Sequence, residues 1–546
     1  MAEEQSGAPW WRGAVVYQVY IRSFCDGNGD GEGDFAGLIG KLDYIAALGV
    51  DAIWLSPIHP SPNRDWGYDV SDYQSVHPDY GTLAEFDALL AAAHARGLKI
   101  LIDEVLCHTS DEHAWFADSL RRGDKSDWYV WADGHADGTA PNNWLSAFGG
   151  PAWSYRPERR QHYHHKFLRQ QPKLNWRNAA AKRAALELLD FWLERGADGF
   201  RLDVANAYLH DATLADNPPV PPADRDAAVW ADAAYLQLHL HDCNLPENVA
   251  CLDDIRRTVE RHAGRFVFGE FSEGFERAGA YAAPDEGLHS AYTFFFLKQR
   301  KLAPDFVRAN YAMFAKHPRH WPCVSFSNHD IERTVSRFGG GAAGDPALAK
   351  LMLALLFALK GTVLLYQGEE LGLPEVELRR DQLRDPVGDL YYPRFKGRDG
   401  CRTPMPWDAE APNLGFTTGT PWLPLGPAHR ALAVSRQDGD ASSTLAFARR
   451  LLAARRASAA LRLGDITFLD APAPLLAFRR DWQGESVLCV FNLGRGDVRF
   501  RDGALTKAQP TDWGCGKANL DGGALSLGSL AAWFARLEGL ERGVEG

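Results

Sequence analysis

No apolar run in this 546-residue sequence is long enough to cross a bilayer. The longest, near Leu351 to Leu359, stops at Lys360 and Gly361, well short of the roughly 20 residues a membrane helix needs. The opening Met1-Ala2-Glu3-Glu4-Gln5 has neither the basic nor the apolar region of a secretory signal. Eight cysteines (25, 107, 243, 251, 323, 401, 489 and 515) contain no CxxC pair and no metal-like cluster, so they read as reduced thiols rather than a disulfide frame. Long basic runs are missing too, and the formal net charge of -12 would repel phosphate backbones and anionic lipid. These absences point to a cytoplasmic protein with neither nucleic acid nor a membrane as partner; the expectation is a monomer or homodimer, which nothing in the sequence decides between.

What is present is an ordinary globular composition, 46% hydrophobic and 24% charged, on a chain long enough for a large core and smaller domains. Short apolar or aromatic runs recur at Ala14 to Phe24, Val50 to Pro57, Leu98 to Leu106, Phe200 to Val204, Phe266 to Phe271, Tyr292 to Phe296, Val324 to Asn328 and Thr362 to Gln367. Helical patterns lie between them. Leu38, Leu42, Ile45 and Leu48 form one apolar stripe that ends at Gly49; Phe86, Leu89, Leu90 and Ala93 do the same before Gly97, and Leu186, Leu189 and Leu193 before Gly196. Eight such units predict an α/β fold, a closed (β/α)8 TIM barrel.

Two stretches break the alternation. Residues 109–174 are rich in Trp, Gly, Asn and His with weak periodicity, which predicts a small domain inserted after the third strand. The barrel is then expected over 1–108 and 175–465, with an irregular insertion at about 373–426 after its last strand. Short strand-like pieces with Gly and Asp turns beyond that point predict a C-terminal antiparallel β-sandwich domain over 466–546.

Three acidic residues close strand-like runs: Asp203 after Gly199-Phe200-Arg201-Leu202, Glu270 after Phe266-Val267-Phe268-Gly269, and Asp330 after Val324-Ser325-Phe326-Ser327-Asn328-His329. In a barrel these positions gather at one mouth, where active sites assemble. Each alone reads equally as a cap or a loop charge. Two carboxyls about 5 Å apart across a glycosidic bond are the requirement of a retaining glycosidase, one as nucleophile and one as acid and then base. Arg201, two residues before Asp203 on the same strand face, is placed to orient that carboxylate.

With Asp103-Glu104-Val105-Leu106-Cys107-His108, Gly199 to Asp203, Gly269-Glu270 and Ser327-Asn328-His329-Asp330 in this order, the chain resembles the α-amylase superfamily, in its exo-acting α-glucosidase and oligo-1,6-glucosidase branch. The resemblance implies that Asp203 attacks the anomeric carbon, Glu270 protonates the leaving oxygen, and Asp330 stabilises the transition state. A neighbouring carboxylate is expected to raise the proton affinity of the acid. By the same resemblance His108 and His329 bond hydroxyls of the bound glucose. Tyr68, in Asp65-Trp66-Gly67-Tyr68-Asp69-Val70, stacks on the sugar; Asp65 binds the terminal 4-hydroxyl; and Arg402, in Arg398-Asp399-Gly400-Cys401-Arg402-Thr403-Pro404-Met405-Pro406-Trp407, pairs with Asp65 to wall off the pocket. Phe148 of the inserted domain lines the pocket or serves only domain packing. The implied reaction is retaining hydrolysis of terminal α-glucosidic bonds in short α-glucosides such as maltose, isomaltose or sucrose, with transfer to alcohol acceptors where water competes poorly. A sucrose hydrolase or glucosyltransferase, and an oligo-1,6-glucosidase, share that mechanism. A non-catalytic sugar-binding barrel is a reading of a different class, opposed by the retention of all three acids.

Asp26-Gly27-Asn28-Gly29-Asp30-Gly31-Glu32-Gly33-Asp34 sets oxygen donors at alternate positions, as a Ca²⁺ loop does, though without the distant Glu of an EF-hand. It resembles the calcium loop of this enzyme branch, which implies a structural ion held by Asp26, Asn28, Asp30, the Glu32 carbonyl and Asp34. A metal-free Asx turn is the other reading of the same residues. No organic cofactor is expected. His162-Tyr163-His164-His165 reads as alternation on a strand rather than a zinc site, since no ligand set is complete nearby. Three departures stand out against the family pattern. Cys107 replaces a small polar residue, Lys173 replaces the usual Asp of Gln171-Pro172-Lys173-Leu174-Asn175, and Val204-Ala205 mixes features of α-1,6 and α-1,4 enzymes. Linkage preference therefore stays open at this stage.

Overall fold

The computed structural model describes residues 7–222, 233–271, 279–283, 286–317, 319–339 and 344–538. The first six residues of the expected barrel and the last eight of the expected C-terminal domain lie outside them. Eight parallel strands form the centre: β1 (Val15–Val19), β2 (Ala52–Leu55), β3 (Lys99–Glu104), β4 (Gly199–Leu202), β5 (Phe266–Phe271), β6 (Ser290–Thr293), β7 (Cys323–Val324) and β8 (Thr362–Tyr366). Their order is β6-β5-β4-β3-β2-β1-β8-β7, and a parallel bridge between Ala291 and Pro322 joins β6 to β7 and closes the barrel. The expected (β/α)8 barrel is therefore the fold. Trp54, Phe268, Tyr292 and Leu364 fill its interior, with Trp11 and Trp321 at the base.

The helices form where the apolar stripes predict them. Leu42, Ile45 and Leu48 are buried on the helix Leu42–Leu48, which ends at Gly49 with φ 89, a left-handed cap that glycine adopts without strain. Thr82 and Glu85 close a capping box at the start of Leu83–His94. Asn178 caps Ala179–Arg195, and Gly196 ends it with φ 115. On that helix Leu188 and Trp192 are buried whereas Leu186 is only half-buried, so the core stripe sits slightly to one side of the predicted one.

Three runs differ from expectation. The strand in Ala14 to Phe24 ends at Val19, and Ile21–Ser23 is a short 3-10 turn. Tyr292 to Phe296 divides into the end of β6 and a helical turn, Phe294–Leu297, because an apolar run this short fits either structure. Val324 to Asn328 contributes one residue to β7, leaving Ser325–Asn328 to bend over the barrel mouth.

Between β3 and β4, strands Trp131–Ala132, Gln161–His164 and Trp153–Arg156 form a small antiparallel sheet around Val130, Trp144, Ala152 and Trp153. Its ends return beside β3 through the pairings of His108 with Lys173 and Tyr129 with Leu174. After Asp465 a five-stranded and a three-stranded antiparallel sheet share a core of Leu475, Leu488, Val490, Phe500, Leu525 and Trp533. The opposite face of the larger sheet, with Phe478, Phe491 and Phe534, joins the main core. Among the described residues no helix is long and apolar enough to cross a membrane, and all eight cysteines are free thiols.

Candidate active site

Strand register sets the centre of the site. Asp103 on β3 lies beside Arg201 on β4, and Glu270 on β5 lies beside Tyr292 on β6. Side chains at 201 and 203 share a face because strand residues alternate. Arg201 is fully buried and donates from Nη1 to Asp103 Oδ1 at 2.7 Å and to Asp203 Oδ1 at 2.8 Å. Its Nη2 touches Glu270 Oε2 and donates to the Tyr292 hydroxyl at 3.1 Å. A single guanidinium thus reaches both the expected nucleophile and the expected acid, which are 8% and 6% exposed.

The chain must turn sharply after Asp203. Val204 takes φ 44, ψ 46, a left-handed conformation that costs a β-branched residue on the order of 1–3 kcal/mol. The surroundings fix it: Ala207 N donates to Val204 O, and Lys173 Nζ donates to the Ala207 carbonyl. Lys173 also lies 3.6 Å from Cys107 Sγ, so two of the departures from the family pattern touch each other. Burial works to raise the Cys107 thiol, but Lys173 and His108 together outweigh it and leave the thiol below its ordinary value.

Burial raises Asp203 to about 6; Arg201 opposes that rise and the Asp330 carboxylate adds to it. Asp103 is raised to about 7, again chiefly by burial. Asp330 behaves oppositely. Burial there is outweighed by His329 and by the guanidiniums of Arg398 and Arg402, which hold its carboxyl well below the usual range. His329 itself is driven down to about 3 by burial, with its Nε2 3.3 Å from Asp330 Oδ2. The ring is fixed by Gln18 Nε2 at 2.7 Å from Nδ1 and by the Tyr68 hydroxyl at 2.5 Å from Nε2. Tyr68 stacks on it with ring centroids 5.4 Å apart and donates to Asp103 at 3.0 Å.

One expected pairing is wrong. Asp65 is not bound by Arg402; Arg398 Nη2 donates to Asp65 Oδ1 at 2.6 Å and to Asp385 Oδ1 at 2.8 Å. Arg402 instead donates to Asp330 Oδ1 at 2.7 Å and to the His329 carbonyl at 2.7 Å. The two arginines lie four residues apart around the short turn Asp399–Cys401, and both reach Asp330 Oδ1, Arg402 at 2.7 Å and Arg398 at 3.4 Å. Gln171 Nε2 donates to Asp65 Oδ2 at 3.0 Å and lies 3.2 Å from His108 Nε2. His108 is buried, with its Nε2 2.9 Å from the Tyr68 carbonyl. The Phe148 ring sits under the Arg398 guanidinium at 5.2 Å and against Phe167 at 5.3 Å, on the same wall as Asp65.

The structure thus brings together Asp203, Glu270, Asp330, Asp65, Tyr68, His108, Phe148, Arg201, His329 and Arg402. Sequence reasoning missed Arg398, Asp103 and Gln171, although all three lie inside motifs it singled out. It also missed Gln18 and Tyr292, which carried no signal beyond a place on a strand, and Asp385, which caps the helix Pro386–Tyr391 in the irregular insertion.

The Asp26 loop lies apart from this cluster. Asp26 Oδ1 accepts from the Asn28 and Gly29 amides at 2.9 and 2.6 Å, Asn28 Oδ1 from Asp30 N at 2.9 Å, and Asp30 Oδ1 from Glu32 N at 2.9 Å. These are Asx turns in series. Asp34 caps the helix Phe35–Ile39, and the Glu32 carboxylate contacts Arg22. The donors are hard oxygens of the type Ca²⁺ takes. Among the described residues, no group of three or more His, Cys, Asp or Glu forms a metal-holding cluster.

The family model described as "Alpha amylase, catalytic domain" matches residues 18–464. A probable α-glucosidase of Rhizobium meliloti (strain 1021) is 46% identical over 536 residues, 97% of each chain. An oligo-1,6-glucosidase of Halalkalibacterium halodurans is 36% identical, over 88% of this chain and 90% of that one. Among solved structures, the α-glucosyl transfer enzyme XgtA superposes with a TM-score of 0.94 at 47% identity, over 97% of this chain and 100% of that one.

Proposed function

The chain belongs to the α-amylase family, and from that premise we propose that it is a retaining, exo-acting α-glucosidase of short gluco-oligosaccharides. It is a glycoside hydrolase. The observation that carries the retaining reading is Arg201 reaching the carboxyls of both Asp203 and Glu270. Asp203 attacks the anomeric carbon while Glu270 gives its proton to the departing oxygen, so the glycosidic bond breaks as the glucosyl ester forms. Glu270, now ionised, takes a proton from water, whose oxygen displaces Asp203 with a second inversion. Asp330, kept ionised by its arginines, stabilises the positive charge that develops on the ring.

Exo action rests on the wall of Asp65, Arg398, Asp385 and Phe148, which turns a cleft into a pocket for a terminal residue. Steady cutting inside end-blocked chains would refute it. Transfer of glucose to an alcohol in place of water is a second reading, favoured by the 47% identity to an α-glucosyl transfer enzyme. Incubation with maltose, isomaltose and sucrose, followed by proton NMR of the first product, tests both. The α-anomer of glucose released first supports retention, the β-anomer rejects it, and new glucosides with an added alcohol measure transfer.

We read the protein as cytoplasmic, acting on small α-glucosides as a monomer or homodimer, with Ca²⁺ as a structural ion at Asp26, Asn28, Asp30, the Glu32 carbonyl and Asp34. The alternate oxygen donors support the ion. If chelation at matched ionic strength leaves melting temperature and activity unchanged, and elemental analysis finds no metal, that assignment fails.

A further inference from the structure

The end of the barrel opposite the three acids carries a cavity of about 380 Å³, within the roughly 300–1,000 Å³ range of small-molecule sites. Its walls come from segments just ahead of strands. Trp10 to Arg12 precede β1, Arg265 precedes β5, and Arg319 and Trp321 precede β7.

On a chain of net charge -12, these walls hold four arginines, at 12, 256, 265 and 319, against a single acid, Glu260. Glu260 is already taken by Arg256 at 2.8 Å and His289 at 3.2 Å, and Arg265 pairs with Asp198 at 2.8 Å. Arg12 differs. Its guanidinium lies between the indoles of Trp11 and Trp321, 5.5 and 5.6 Å from their centroids, and its Nε has no hydrogen-bond partner. Among the described residues no carboxylate lies within ion-pair distance of it. Aromatic faces offset part of the desolvation of a half-buried cation, but its fork of donors still points to an oxyanion.

We propose that this cavity binds a small organic anion, a phosphate or carboxylate head on a ring, with the head at Arg12 and Arg319 and the ring against the tryptophans. Such a site is separate from the hydrolytic pocket, since it sits at the other end of the strands.

Isothermal titration of the full chain with glucose 6-phosphate, benzoate and glucose tests it, the two anions distinguishing a phosphate from a carboxylate head. Arg12→Gln is expected to weaken binding of at least one anion by about tenfold or more, the worth of a charged hydrogen bond. It should leave hydrolysis of 4-nitrophenyl α-D-glucopyranoside unchanged, which also reports folding. Arg319→Gln should weaken the same anion and serves if Arg12→Gln does not fold. No binding of either anion, glucose binding as tight as its phosphate, or variants that bind like the wild type would overturn the proposal.

Discussion

Replacing Arg398 should cost more substrate recognition than its place in the sequence implies, and the cost should run through Asp65. Arg398 donates to Asp65 at 2.6 Å and to Asp385 at 2.8 and 3.0 Å, all three side chains being nearly shielded from water. A charged hydrogen bond of this kind contributes about 1.5–3 kcal/mol, roughly a ten- to 150-fold change in kcat/KM. The perturbation is a double-mutant cycle of Asp65→Asn with Arg398→Gln, run beside a second cycle of Asp65→Asn with Arg402→Gln. The assay is kcat/KM on 4-nitrophenyl α-D-glucopyranoside and on maltose. Coupling between 65 and 398 should reach about 1.5–3 kcal/mol, because each change removes the same bond. Between 65 and 402 it should stay below roughly 0.5 kcal/mol, since Arg402 spends its donors on Asp330 and the His329 carbonyl. Stronger coupling to Arg402 than to Arg398 would sink the reasoning, and with it the picture of the pocket wall.

Asp203→Asn and Glu270→Gln should each lower turnover by orders of magnitude with an unchanged circular dichroism spectrum and melting temperature within a few degrees; near-normal activity in either refutes their roles. In the proposed mechanism Asp203 attacks in its ionised form, and with its carboxyl raised to about 6, kcat/KM should fall as pH drops through about 6; an acid limb near 4 would contradict this. A folded-state value above the unfolded 3.8 means that proton uptake favours the fold. That stabilisation is present below pH 3.8 and lost as pH rises through about 6, so urea midpoints of the wild type should fall over this window more than those of Asp203→Asn. Gly199 sits at φ 148, and a Cβ there would run into the Phe266 carbonyl; Gly199→Ala should therefore destabilise by about 3 kcal/mol or more, visible in chemical denaturation, whereas a wild-type midpoint would show that β4 has room to shift.

The barrel was legible because its signals are local and repeated. Gly49 and Gly196 end helices in left-handed conformations, and the stripe at Leu38, Leu42, Ile45 and Leu48 is buried along its whole length. Legibility failed where local preference is ambiguous. The aromatic run Tyr292 to Phe296 suits a strand or a helix until the neighbouring β5 takes its first residues. The three acids could be read from strand ends, since barrel geometry gathers those ends at one mouth. Their partners could not. Arg398 and Arg402 lie in one motif four residues apart, and only the turn between them decides which faces Asp65. Gln18 and Asp385 reach the site through tertiary packing alone.

A shared guanidinium also constrains how such an enzyme can be redesigned. Trimming residue 203 to glycine would relieve Arg201 of one carboxylate and turn its charge toward Asp103 and Glu270. Glu270 would then share that guanidinium with one carboxylate fewer, so the change would disturb the proposed acid as well as remove the proposed nucleophile. Asparagine at 203 keeps an oxygen in front of the same nitrogen and spares its neighbours that drift. Anyone reshaping the catalyst to join sugars instead of cutting them has four side chains to move together.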